Sequence, residues 1–171
     1  MNQEKFKKID KAVFLDRDGT INKDVGYLYK PSDFQWIDGA IESIKLLKKK
    51  QFMVIVITNQ SGIGRGYYKN EDVNILHEWI NLELIKHKTK IDDFFFSGDL
   101  PSEQKSSRRK PSPKMINEAI IKHKLDRSKC FMIGDKNTDM ESAKNAKIKG
   151  FLFKGKNLLD RIVNILKQQN S

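Results

Sequence analysis

Cysteine is nearly absent: one, Cys130, occurs in 171 residues. No internal disulfide can form, and such cysteine usage fits a reducing compartment. Long apolar runs are missing too. None approaches the ~20 residues that a membrane span needs. The N-terminal stretch "MNQEKFKKID" lacks the apolar segment of a secretory signal. The expected location is the cytoplasm, with no membrane partner. Acidic residues are outnumbered, 22 Asp+Glu against 33 Lys+Arg, which leaves a net charge of +11. A basic surface can attract nucleic acid or small anions. Here the lysines are scattered through runs such as "KLLKKK" and "KHKTK" without interleaved aromatics. They read as solvated helix faces. There is also no G-x-x-x-x-G-K-[ST] loop, so nucleic acid is not an expected partner.

What is present is alternation. Five short apolar runs recur: "AVFLD" (12–16), "FMVIVIT" (52–58), "DFFFSG" (93–98), "CFMIGD" (130–135) and "GFLF" (150–153). Runs nearly continuous in β-branched or aromatic residues suit strands buried on both faces of a parallel sheet. Helical patterns lie between them, at 39–50, 70–88, 112–124, 138–147 and 156–170. The second places Val73, Leu76, Ile80 and Leu84 on one stripe. Strands alternating with helices predict an α/β fold: a doubly wound, mostly parallel sheet with helices on both faces. The length fits a single domain over 1–171. One segment, "GDLPSEQKSSRRKPSP" (98–113), holds three of the four prolines and no apolar periodicity. It reads as a long loop, and long loops in compact domains are often functional.

Ligands of open α/β sheets bind beyond the carboxyl ends of the strands. Asp16 and Asp18 follow the first strand, Thr58 and Asn59 end the second, and Asp135 ends the fourth. Two carboxylates forced close repel unless a cation sits between them. Mg2+ is hard, prefers oxygen ligands and suits Asp16, Asp135 and the backbone carbonyl of Asp18. The same residues suit phosphoryl transfer. Asp16 can attack phosphorus and form an aspartyl-phosphate. Asp18 can protonate the leaving oxygen and later activate water. Thr58, Asn59 and the glycine-rich "NQSGIGRG" can hold phosphate oxygens. Lys110 can balance the charge gathering on phosphorus.

"FLDRDGTIN", "VITNQSGIGRGYY", "RRKPSP" and "MIGDKNTDM" resemble, in order and spacing, the four motifs of the haloacid dehalogenase superfamily of phosphatases. The matches run from residue 12 to 146. Their wording resembles the branch of D-glycero-D-manno-heptose 1,7-bisphosphate phosphatases and histidinol-phosphate phosphatases, which lacks a large cap domain. The resemblance implies an Mg2+-dependent phosphomonoesterase that removes the 7-phosphate of the heptose bisphosphate. Histidinol phosphate is the alternative substrate, and a nucleic-acid 3′-phosphatase a more remote one. It implies Asp16 as nucleophile, Asp18 as general acid and base, and Thr58 and Lys110 on the phosphoryl group. Asp16, Asp18 and Asp135 would hold the metal. Asp24, Val25, Gly26 and Tyr27 match a substrate-contacting stretch, as do Asn59, Gln60 and Ser61. Arg109 and Lys136 would also recognise the sugar phosphate.

Relatives often carry a Cys/His cluster before the RKP motif that binds structural zinc. Here the 98–113 loop has neither residue type, so zinc is not expected. Asp139 has two readings, orienting the fourth motif or capping the next helix. His77, His87 and His123 fall among lysines in helical patterns and read as surface residues. Trp36 and Trp79 read as packing residues, and Cys130 as a small buried hydrophobe. A monomer is the expected state.

Overall fold

Strands and helices alternate as β1 (Ala12–Leu15), α1 (Ala40–Lys49), β2 (Met53–Asn59), α2 (Asn70–Lys86), β3 (Asp93–Ser97), α3 (Lys114–His123), β4 (Phe131–Gly134), α4 (Asn137–Asn145), β5 (Lys149–Leu152) and α5 (Leu158–Gln169). The computed structural model describes residues 9–103 and 107–169. Most of the N-terminal stretch read above, and residues 104–106 of the long loop, lie outside the described residues.

All strand pairings are parallel, in the order β3-β2-β1-β4-β5. The chain winds outward from β1 to β3, returns to pair β4 with β1, and winds outward again to β5. The carboxyl ends of β1 and β4 therefore flank the topological switch point, where open α/β sheets leave a crevice. No helix among the described residues is long and apolar enough to cross a membrane.

Alternate residues of each inner strand supply two cores. Val13, Leu15, Val54, Val56, Phe131 and Ile133 pack with α1, α2 and α5 on one face. Ala12, Phe14, Ile55, Ile57 and Met132 pack with α3 and α4 on the other. The expectation of strands buried on both faces holds for β1, β2 and β4. The edges differ: β3 is mostly half-buried and β5 opens on the exposed Lys149 and Gly150. An edge strand has one neighbour only, so helices and loops cover it incompletely.

On α2, Val73, Leu76, Ile80 and Leu84 are fully buried, each contributing about 1.5–3 kcal/mol. The Lys69 amide donates to Asp72 at 2.8 Å and caps this helix. His77 corrects the surface reading. It lies on the same stripe, is buried, and stacks on Phe94 with ring centroids 4.3 Å apart. His123 is also not a free surface residue: it is partly buried and paired with Asp93 at 2.7 Å. His87 is exposed. Trp36 and Trp79 both pack edge-on to Phe34. Cys130 is buried, and burial pushes its thiol up to about 11.

Candidate active site

The apolar run of β1 delivers Asp16 to the crevice, where its amide donates to the Ile133 carbonyl at 3.0 Å. The chain then turns. Gly19 sits at φ +90°, and a Cβ there would lie 2.3 Å from Asp135 Oδ2. Only glycine both adopts that backbone and lets the Asp135 carboxylate approach. The turn thus sets the end of β1 against the end of β4.

Lys110 enters from the long loop and is buried at the floor. Its ammonium lies 2.7 Å from Asp16 Oδ1 and 2.6 Å from Asp139 Oδ1. It also donates to the Ile57 carbonyl at 2.8 Å. Burial alone would lower the lysine, but the two carboxylates outweigh it and hold it above its ordinary value. Burial raises Asp16, with Lys110 opposing. The Asp135 carboxyl is pushed up to about 6, by burial first and by Asp16 second.

One carboxylate oxygen from each of Asp16, Asp135 and Asp139 lies within 4.8 Å of the others. Asp139 has other duties. Its Oδ2 accepts from the Lys136 amide at 3.0 Å, capping α4, while Oδ1 faces Lys110. Both readings of Asp139 therefore hold together. Asp135 Oδ1 is buried without a hydrogen-bond partner among the described residues. An orphaned buried carboxylate oxygen beside a second carboxylate is costly and suits a hard divalent cation, so the donor set fits Mg2+.

Asp18 is held differently. Arg17 Nη2 donates to its Oδ2 at 3.0 Å, Gln60 Nε2 to the same oxygen at 2.9 Å, and Asn22 Nδ2 to its Oδ1 at 2.9 Å. Arg17 is fully buried. It also donates to the Leu28 carbonyl at 2.8 Å and meets His77 Nε2 at 3.3 Å. Burial, then the Arg17 charge, hold the His77 imidazole well below its ordinary value. The ring is therefore neutral and can accept from the guanidinium.

A cleft of about 350 Å³ opens above this floor. Asp16, Asp18, Thr58, Asn59, Gln60, Ser61, Asp24, Gly26, Tyr27, Arg109, Lys110 and Lys136 all line it. Val25 does not line the cleft, and half of it is exposed to solvent. The side-chain amides of Asn59 and Gln60 are already engaged by the protein. Asn59 donates to the Lys110 carbonyl at 3.1 Å and accepts from the Lys110 amide at 2.9 Å, which fixes the lysine backbone. Gln60 also donates to Thr58 Oγ1 at 2.9 Å and accepts from Tyr68 at 2.8 Å. Asp24 pairs with Lys136 at 3.0 Å across the mouth.

Asp99 orders the described parts of the 98–113 loop, accepting from Ser107 Oγ at 2.7 Å and the Arg108 amide at 2.8 Å. Arg108 then reaches Glu118 of α3 and the Phe96 carbonyl.

Sequence reasoning misses Arg17, His77, Asn22 and Tyr68. A signal exists for His77, which stands at i+4 from Val73 on the apolar stripe of α2. Arg17, a cation placed between two aspartates, reads in the sequence only as a spacer.

The chain is 40% identical over 144 residues to the D-glycero-beta-D-manno-heptose-1,7-bisphosphate 7-phosphatase of Pasteurella multocida, covering 81% of this chain and 78% of that protein. The chain belongs to the heptose-bisphosphate phosphatase family. It is a phosphatase of the haloacid dehalogenase superfamily, and a HAD-hydrolase-like family model matches residues 107–158. A phosphatase from Photorhabdus laumondii named for the alpha-configured heptose bisphosphate is 38% identical over 144 residues, 81% of this chain and 79% of that one. The D,D-heptose 1,7-bisphosphate phosphatase of B. bronchiseptica, solved with magnesium and phosphate, superposes with a TM-score of 0.81. At 24% identity over 92% of this chain and 99% of that one, it attests the shared fold.

Proposed function

We propose that this heptose-bisphosphate phosphatase family member is an Mg2+-dependent phosphomonoesterase that removes the 7-phosphate of D-glycero-D-manno-heptose 1,7-bisphosphate. The observation that carries the chemistry is the buried Lys110–Asp16 ion pair, 2.7 Å, at the base of a cleft. A carboxylate beside a buried cation at a strand end has the surroundings of a phosphoryl acceptor. The names of the relatives support the sugar.

In this reading Asp16 attacks the 7-phosphorus, and the bond from phosphorus to the sugar oxygen breaks. Asp18 gives that oxygen its proton, leaving an aspartyl-phosphate on Asp16. Asp18 then takes a proton from water, whose oxygen attacks phosphorus and frees Asp16 and inorganic phosphate. Thr58 and Lys110 hold the phosphoryl oxygens. Arg17, Asn22 and Gln60 orient Asp18. Mg2+, held by Asp16, Asp135 and the Asp18 carbonyl, would neutralise charge on those oxygens. Arg109, Lys136, Ser61 and the Asp24–Tyr27 turn would contact the sugar phosphate. The enzyme works as a cytoplasmic monomer without zinc in its 98–113 loop.

The test is phosphate release with Mg2+ from both anomers of the heptose bisphosphate, histidinol phosphate and a 3′-phosphorylated oligonucleotide. The expected result is an advantage of about a hundredfold in kcat/KM for one heptose anomer, ~2.7 kcal/mol at the transition state. A flat profile would remove the substrate and leave the chemistry. Asp16→Asn should abolish turnover while the protein stays folded; retained turnover would remove the nucleophile.

A further inference from the structure

The glycine-rich turn after β2 carries a cation that no part of the chemistry above uses. Arg65 is exposed, and among the described residues its guanidinium has no carboxylate partner. It lies over Tyr27, 5.9 Å from the ring centroid, and Tyr27 lines the cleft. Tyr27 in turn meets the Tyr67 ring edge-on at 4.9 Å. Tyr27 keeps a positive φ of 47°, a conformation that costs a side-chain-bearing residue energy and that clusters where function demands it.

The turn is docked onto the loop that carries Arg109. The Gly64 amide donates to the Gly98 carbonyl at 3.1 Å. A Cβ on Gly64 would lie 2.7 Å from that same oxygen, so this approach needs glycine. Arg109 lines the cleft, and Arg65 stands next to that lining, over the ring of Tyr27. Their charges interact: burial first, and Arg65 second, lower Arg109 from its ordinary value. Two like-charged forks brought together at a cleft mouth suit a dianion between them.

We propose that Arg65, with Arg109, clamps the second anionic group of the substrate, the phosphate that is not hydrolysed, and thereby makes the enzyme select bisphosphates over monophosphates. Tyr27 and Tyr67 form the wall that keeps the Arg65 guanidinium at the mouth. Lys110 and the carboxylates lie at the floor, so one cleft separates the reacting phosphate from the retained one. This specificity role rests on the reading that the substrate is a sugar bisphosphate.

The experiment compares kcat/KM for the heptose 1,7-bisphosphate with that for heptose 7-phosphate, which keeps the reacting phosphate and lacks the second. Arg65→Ala and Arg65→Gln are measured beside the unaltered enzyme, with Tm confirming that each is folded. The unaltered enzyme should prefer the bisphosphate. Both variants should lower that preference by about tenfold or more, the size of a charge-assisted contact, chiefly through KM. A preference unchanged in both variants, or an equal fall on both substrates, would overturn the Arg65 role and leave the bisphosphate reading standing. An unaltered enzyme with no preference for the bisphosphate would overturn that reading and the clamp with it.

Discussion

Replacing Lys110 by methionine keeps most of the side-chain volume and removes the charge that Asp16 and Asp139 share. Leaving buried carboxylates uncompensated typically costs about 3–5 kcal/mol. Lys110→Met should therefore lower Tm as well as eliminate turnover, unlike Asp16→Asn, which removes a charge from a crowded site. Equal Tm values for the two variants would contradict this account. At Asp135 the prediction concerns pH. Its carboxyl is raised from 3.8 to about 6, so at intermediate pH the folded, metal-free protein holds a proton that the unfolded chain has released. That contribution to stability is full below 3.8 and is lost as pH rises through about 6. Mg2+ needs the ionised form, so the dependence of metal binding runs the other way. The rise in Tm produced by Mg2+ should be large near neutral pH and shrink as pH falls below about 6. A shift that persists undiminished in acid would contradict the assignment of Asp135 as a ligand. Single residues are legible in the sequence where their chemistry is unusual: an aspartate ending an apolar run carries a charge to the edge of the core, where it needs a partner. Arg17 and Asn22 are not legible in this way, because they act by hydrogen-bonding Asp18, and that needs a third dimension.

Among the elements, the 98–113 loop is the one whose order does not follow from its letters. Within its described residues Asp99 gathers Ser107 and the Arg108 amide, while Arg108 and Lys110 tie it to Glu118 and Asn59. The hydrogen bond from Ser107 lowers the Asp99 carboxyl below its ordinary value. Asp99→Ala should raise the sensitivity of the loop to protease and raise KM, because Arg109 is the next residue but one to Ser107. An unaltered cleavage pattern would assign the loop's order elsewhere. The helices and inner strands are readable to within a residue or two, since their burial is periodic. β3 is not: "DFFFSG" reads as a fully buried strand, yet an edge position leaves it mostly half-covered. Sequence records apolar content, whereas sheet order decides how much of it is covered. His77 shows the reverse error, a polar residue taken as surface although its helical phase points inward.

At the scale of the whole molecule, the +11 charge meets an anionic substrate. Long-range attraction is screened over roughly 8 Å at physiological salt. Rising salt should therefore reduce kcat/KM and spare kcat; a kcat that falls in step would point to the chemistry instead. The strand order has a further effect. β1, β2 and β3 are contiguous in the chain and fill one side of the sheet, and β4 and β5 fill the other. Asp16 and Asp18 belong to the first block, as does Lys110, which follows β3 and is bonded to Asn59 and Ile57 of β2; Asp135 and Asp139 belong to the second. The seam between the blocks, where Val13 to Leu15 pair with Phe131 to Ile133, is thus also the line across which Lys110 meets Asp139 and Asp16 approaches Asp135. The first block alone would hold Asp16 and Lys110 without Asp135 and Asp139, and so only part of the site. Turnover then certifies that both blocks have docked in register, and a protein closed along only one side of that seam is silent.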